Sequence, residues 1–70
     1  MKVLIIEDEL RAANRLEKLV RKLSTDSEIS AKLESVRESV RYLTENPNPD
    51  LIFADIQLDD GLSFEIFKDR

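Results

Sequence analysis

The sequence predicts an α/β fold built on a parallel sheet. Two apolar runs, Val3-Leu4-Ile5-Ile6 and Leu51-Ile52-Phe53-Ala54, read as strands buried on both faces. Two stretches of apolar residues at helical spacing lie between them, and a strand-like alternation from Ile29 to Leu33 separates the two. The order β-α-β-α-β is the alternation that builds parallel sheets covered by helices.

The first strand ends abruptly at Glu7-Asp8-Glu9. A helix is expected from about Leu10 to Leu23, with Ala12, Leu16, Leu19, Val20 and Leu23 on one face and Arg11, Arg15, Lys18, Arg21 and Lys22 on the other. Carboxylates at its start and basic residues near its end suit the helix dipole. Ser24 to Ser27 reads as a loop. Ile29, Ala31 and Leu33 alternate with Ser30, Lys32 and Glu34, the mark of an edge strand with one polar face. Ser35-Val36-Arg37-Glu38 fits a capping box, and Val36, Val40 and Leu43 mark the buried stripe of a second helix. Asn46-Pro47-Asn48-Pro49 ends it, because a residue before proline avoids the helical region. Asp55 closes the last strand, Ile56 to Gly61 form a loop, and Leu62 to Arg70 begin a third helical pattern. Phe53, Phe64 and Phe67 are expected in the core.

The polar alternation of the second strand places it at an edge, so the expected order is 2-1-3. The third strand is then also an edge, although it is apolar on both faces. No Gly or Pro stops the third helical pattern. Residues 1–70 therefore read as the N-terminal portion of one larger domain.

Composition narrows the function. The chain of 70 residues contains neither Cys nor His, which excludes disulfides, thiolate or imidazole metal sites and His-based triads. Eleven Lys and Arg against fifteen Asp and Glu give a net charge of −4, the wrong sign for a segment that contacts nucleic acid or a membrane surface. No apolar stretch approaches a signal peptide or a membrane span, and a cytoplasmic location is expected.

Open parallel sheets place their sites outside the carboxyl ends of the strands, where strand order reverses. That point lies between the first and third strands, so Glu7 and Asp8 are expected to meet Asp55. Strands about 4.8 Å apart bring such carboxylates into one pocket. Their mutual repulsion favours a hard divalent cation, and an oxygen-only donor set points to Mg²⁺. Gly61 is the single glycine, so a dinucleotide fingerprint and a P-loop are both absent. Asp55 to Gly61 does not match a calcium loop. Asp59 and Asp60 read as turn residues.

The segments Leu4-Ile5-Ile6-Glu7-Asp8-Glu9, Pro49 to Leu58 and Asp59-Asp60-Gly61-Leu62 resemble the receiver domain of two-component response regulators. Asp55-Ile56-Gln57-Leu58 followed by Asp60-Gly61 is especially similar to the LytTR type. The resemblance implies a partial flavodoxin-like fold and a phosphorylation switch. Asp55 would be the phosphoacceptor, attacking a phosphohistidine on a sensor histidine kinase. Glu7 and Asp8 would hold Mg²⁺ with Asp55, and the Gln57 backbone carbonyl would be a further ligand. Such a module is a substrate that assists its own phosphorylation rather than an enzyme. Receivers also use a Ser or Thr after the fourth strand and a Lys after the fifth. Neither strand lies in these 70 residues, and Lys68, in the third helical pattern, does not match that Lys. The LytTR DNA-binding domain lies outside them as well.

Two other readings remain open. One is an interaction fragment that forms a homodimer or domain swap through its uncovered third strand. The other is a phosphohydrolase with a nucleophilic Asp, a class that wants a second Asp where this chain has Gln57.

Overall fold

The computed structural model describes residues 1–68. Strand β1 (Lys2–Ile6) leads into helix α1 (Leu10–Leu23), strand β2 (Glu28–Leu33), helix α2 (Val36–Glu45) and strand β3 (Leu51–Ala54). A short hairpin of β4 (Gln57–Leu58) and β5 (Gly61–Leu62) follows, and then a 3-10 helix (Ser63–Phe67). The three longer strands form one parallel sheet in the expected order β2-β1-β3, consistent with a partial flavodoxin-like fold.

Strand β1 is the centre of the molecule. Val3, Leu4, Ile5 and Ile6 are each fully buried. Side chains alternate across a strand, so this run feeds two separate clusters. Leu4 and Ile6 pack with Leu33, Leu43, Leu58 and Ile66 on the face covered by α2 and the 3-10 helix. Val3 and Ile5 pack with Ala13 and Val20 of α1 on the opposite face. Full burial of each aliphatic side chain is worth about 1.5–3 kcal/mol, so this strand supplies much of what holds so small a fold together.

The helix ends follow local chemistry. Ser35 caps α2, its Oγ accepting from the Glu38 N–H at 3.0 Å. Glu38 completes the box by accepting from the Glu34 N–H at 3.1 Å, one residue before the cap. Helix α2 stops at Glu45, before Pro47. Helix α1 has Glu9 as its N-cap residue but no side-chain cap. Lys32 ties β2 to α1, donating to Asn14 Oδ1 at 2.9 Å and to Glu17 Oε1 at 2.7 Å, and Arg21 pairs with the same carboxylate. These two cations hold Glu17 below its usual range. That share of stability exists above the ordinary carboxylate range and is lost on acidification.

Several elements differ from the sequence expectation. In α1 the buried residues are Ala13 and Val20 rather than Ala12, while Leu19 and Leu23 are exposed. Ser39 takes a fully buried place in α2, its hydroxyl satisfied by the Ser35 carbonyl at 2.7 Å, and Val40 faces outward. Phe64 is 62% exposed and is not core, whereas Phe53 and Phe67 do pack against the clusters. The third helical pattern is a five-residue 3-10 turn over Ser63–Phe67, preceded by the hairpin; its expected end at Asp69 and Arg70 lies outside the described residues.

Strand β3 is an edge, with Leu51 and Ala54 exposed and Ile52 and Phe53 half-buried. Beside it, Met1, Leu16, Leu19, Leu23, Leu51 and Phe53 line an apolar groove. Among the described residues no helix is long and apolar enough to cross a membrane.

Leu4→Ala is expected to destabilise the fold by about 2–5 kcal/mol, comparable with the whole stability of a domain this small. Urea denaturation followed by far-ultraviolet circular dichroism would register this as loss of most of the native baseline.

Candidate metal centre

The parallel register delivers the acidic residues to one rim. Ile6 lies opposite Ala54, so the residues that follow these strands emerge side by side. The Asp55 N–H donates to the Ile6 carbonyl at 3.0 Å and the Glu7 N–H to the Leu33 carbonyl at 2.8 Å, which fixes the backbone where each strand ends. One carboxylate oxygen from each of Glu7, Asp8 and Asp55 lies within 4.8 Å of the other two. Glu7 and Asp8 are half-buried and Asp55 is exposed. The sequence expectation that these groups meet is matched by their positions.

The electrostatics follow from this crowding. Glu7 is held above its usual range, first by partial burial, then by its hydrogen bond with Asp8 and the charges of Asp55 and Asp8; the Glu9 N–H, 3.5 Å from its Oε2, opposes this. Asp59 is also raised, by the charge of Asp8 and a hydrogen bond with it. Asp59 thus stands beside the rim as a further carboxylate, which its reading as a turn residue did not reveal. A carboxylate raised in the folded state contributes stability only while protonated. The contribution is complete below the unfolded pKa of about 4 and is lost as pH rises through the folded value. At neutral pH the crowding at Glu7 and Asp59 therefore works against folding.

The donor set fits a hard cation. It consists of carboxylate oxygens, with neither nitrogen nor sulfur.

The loop after Asp55 is more ordered than its sequence indicates. The Ile56 N–H donates to Asp55 Oδ1 at 2.9 Å, which orients the carboxylate. The Ile56 carbonyl accepts from both the N–H and the hydroxyl of Ser63, at 2.9 and 3.2 Å. Antiparallel pairs alternate between bonded and non-bonded, so the next pair, Gln57 and Leu62, is non-bonded. The Gln57 carbonyl is thereby left outside the hairpin ladder. Gly61, at φ +148°, adopts a conformation that other residues rarely take, which makes the turn possible.

The fold and rim together define a class: a parallel α/β sheet with a carboxylate cluster suited to a hard cation at its carboxyl edge. Over 66 residues, 94% of its length, the chain is 36% identical to the sensory transduction protein LytT of Bacillus anthracis. It is 35% identical over 66 residues to the protein of the same name from Bacillus cereus. The chain spans 26% of the length of each of these relatives. The likeness supports the response-regulator resemblance at the level of the family. No family model matches the chain, and no solved structure matches it.

Asp8→Asn separates repulsion from metal binding. Without divalent cations it is expected to raise Tm slightly, because it relieves Glu7 and Asp59, an effect that solvent screening of these carboxylates keeps small. In millimolar Mg²⁺ the order is expected to reverse, with wild type gaining stability and the variant not. Differential scanning fluorimetry at pH 7, with and without Mg²⁺, makes the comparison; the Mg²⁺ gain should fade on acidification, starting above the ordinary carboxylate range because Glu7 is raised.

Proposed function

We propose that this chain is the N-terminal part of a phosphoacceptor receiver, with Asp55 as the nucleophile and Mg²⁺ held by Glu7, Asp8, Asp55 and the Gln57 carbonyl. The observation that carries the reading is the meeting of Glu7 and Asp8 with Asp55 across two strands distant in sequence. A sensor histidine kinase is the proposed donor and the cytoplasm the proposed location. Similarity to sensory transduction proteins supports this reading.

In the proposed transfer a carboxylate oxygen of Asp55 bonds to phosphorus as the bond from phosphorus to the kinase imidazole nitrogen breaks. With the other ring nitrogen of the phosphohistidine protonated, the products are an acyl phosphate and a neutral histidine. The Ile56 N–H orients the attacking group. Bound Mg²⁺ supplies the positive charge that offsets repulsion between the carboxylates and the phosphoryl oxygens. The chain serves as substrate in this step rather than as an enzyme. Transcriptional output is assigned to a separate DNA-binding domain, not to this acidic segment.

The test is labelling by a small phosphodonor. Transfer is expected to require both Mg²⁺ and Asp55, and to leave little stable adduct, because these 70 residues offer no match for the phosphoryl-contacting Ser/Thr and Lys. Labelling that survives EDTA or Asp55→Asn would overturn the phosphoacceptor role. A stable adduct 80 Da heavier, acid-stable and base-labile, would overturn the need for the two partners.

A second reading is self-association, favoured by the apolar groove beside the open edge of β3. It predicts that elution in sizing chromatography shifts with protein concentration. A single folded monomer at all concentrations would remove it.

A further inference from the structure

We infer that Asp60 is a positioning residue for the acidic rim: by clasping the start of α2 it holds the hairpin that carries the Gln57 carbonyl and Asp59. The inference rests on the metal reading of that rim. It starts from a pair of hydrogen bonds between elements distant in sequence. Asp60 Oδ1 accepts from the Val36 N–H at 2.8 Å, and Oδ2 accepts from the Arg37 N–H at 3.0 Å. Both oxygens of one carboxylate are thus used on consecutive amides in the first turn of α2.

A helix needs such acceptors at its start, but α2 already has a local one in Ser35. Asp60 is different because of where it comes from. It sits at the turn between β4 and β5, five residues after Asp55 in the chain. The hairpin is otherwise held at its base by Ser63 on the Ile56 carbonyl and in its middle by Leu58, which is 3% exposed in the core. The Asp60 clasp is the third anchor and the one nearest the tip. With all three in place, the Gln57 carbonyl stays turned away from β5, and Asp59 stays against Asp8. Without the clasp, the hairpin keeps only Ser63 and Leu58, and the tip that carries Asp59 loses its tie to α2. The two hydrogen bonds also hold the Asp60 carboxylate below its usual range, so the clasp persists well into mild acid.

The clasp therefore links α2 mechanically to the loop that follows the nucleophile. Partners that support metal ligands without touching the metal commonly change affinity by about 10–100-fold when removed.

The test compares Asp60→Ala with Ser35→Ala in the full 70-residue chain. Both remove a cap from the same helix, so both lose helix stability; only the first releases the loop. Mg²⁺ affinity is read by calorimetric titration, with 0.5 M KCl present so that the loss of one exposed charge is screened. Asp60→Ala is expected to weaken Mg²⁺ binding about tenfold, and Ser35→Ala to leave it unchanged. Hydrogen exchange of the Ser63 amide provides a readout that needs no metal. It is expected to speed up in Asp60→Ala beyond the change seen in Ser35→Ala, with Asp60→Asn between wild type and Asp60→Ala. Equal affinity and equal Ser63 exchange in the two alanine variants would reduce the clasp to a helix cap and overturn the inference. A wild-type chain that takes up no Mg²⁺ would overturn the metal reading instead, and Ser63 exchange would still decide whether the clasp holds the loop.

Discussion

The burial of β1 on both faces is the constraint from which the rest of the molecule follows. Four consecutive aliphatic residues cannot face water, so the strand must lie inside a sheet with helices above and below. Its two neighbours are β2 and β3, and both run parallel to it. Parallel pairing puts the carboxyl ends of all the strands at one rim. Glu7 and Asp8 at the end of β1 therefore meet Asp55 at the end of β3 because of where the hydrophobic residues are, not because the carboxylates attract one another.

The carboxylates oppose this arrangement. Glu7 is shifted toward its protonated form by partial burial, by its hydrogen bond with Asp8 and by the charges beside it, and Asp59 by the charge of Asp8. A hydrophobic strand thus imposes an electrostatic cost at its end, which a cation can offset. The opposite sense prevails elsewhere. Glu17 between Lys32 and Arg21, and Asp60 between two backbone amides, are stabilised as anions. The contrast separates groups arranged to hold the fold from groups held in place by it.

Strong patterns were legible in the sequence and weak ones were not. The runs Val3–Ile6 and Leu51–Ala54 stand out as uninterrupted apolar stretches, and their positions determine the rim, but only the first is buried on both faces; the second is an edge with Leu51 and Ala54 exposed. The capping box at Ser35 was readable because its chemistry is local. The phase of α1 was harder: Ala12 and Ala13 are adjacent and equivalent in composition, and only packing against Val3 and Ile5 selects Ala13. The β4–β5 hairpin was missed because two-residue strands have no periodicity to read. Asp60 looked like any turn aspartate, since its partners lie more than twenty residues earlier in the chain. Phe64 shows that an aromatic residue in a short 3-10 turn need not find the core.

The central position of β1 also bears on how the chain is born. Val3 pairs with Ile29 on one side and Leu51 on the other, so during synthesis β1 gains its second strand neighbour only once β3 has emerged, long after α1 has supplied cover for Val3 and Ile5. At about 5–20 residues per second, that wait lasts on the order of seconds. During this interval Leu4 and Ile6 lack part of their cover, because Leu43, Leu58 and Ile66 come from later elements. The strand that later organises the whole structure is thus, during synthesis, completed on one face well before the other.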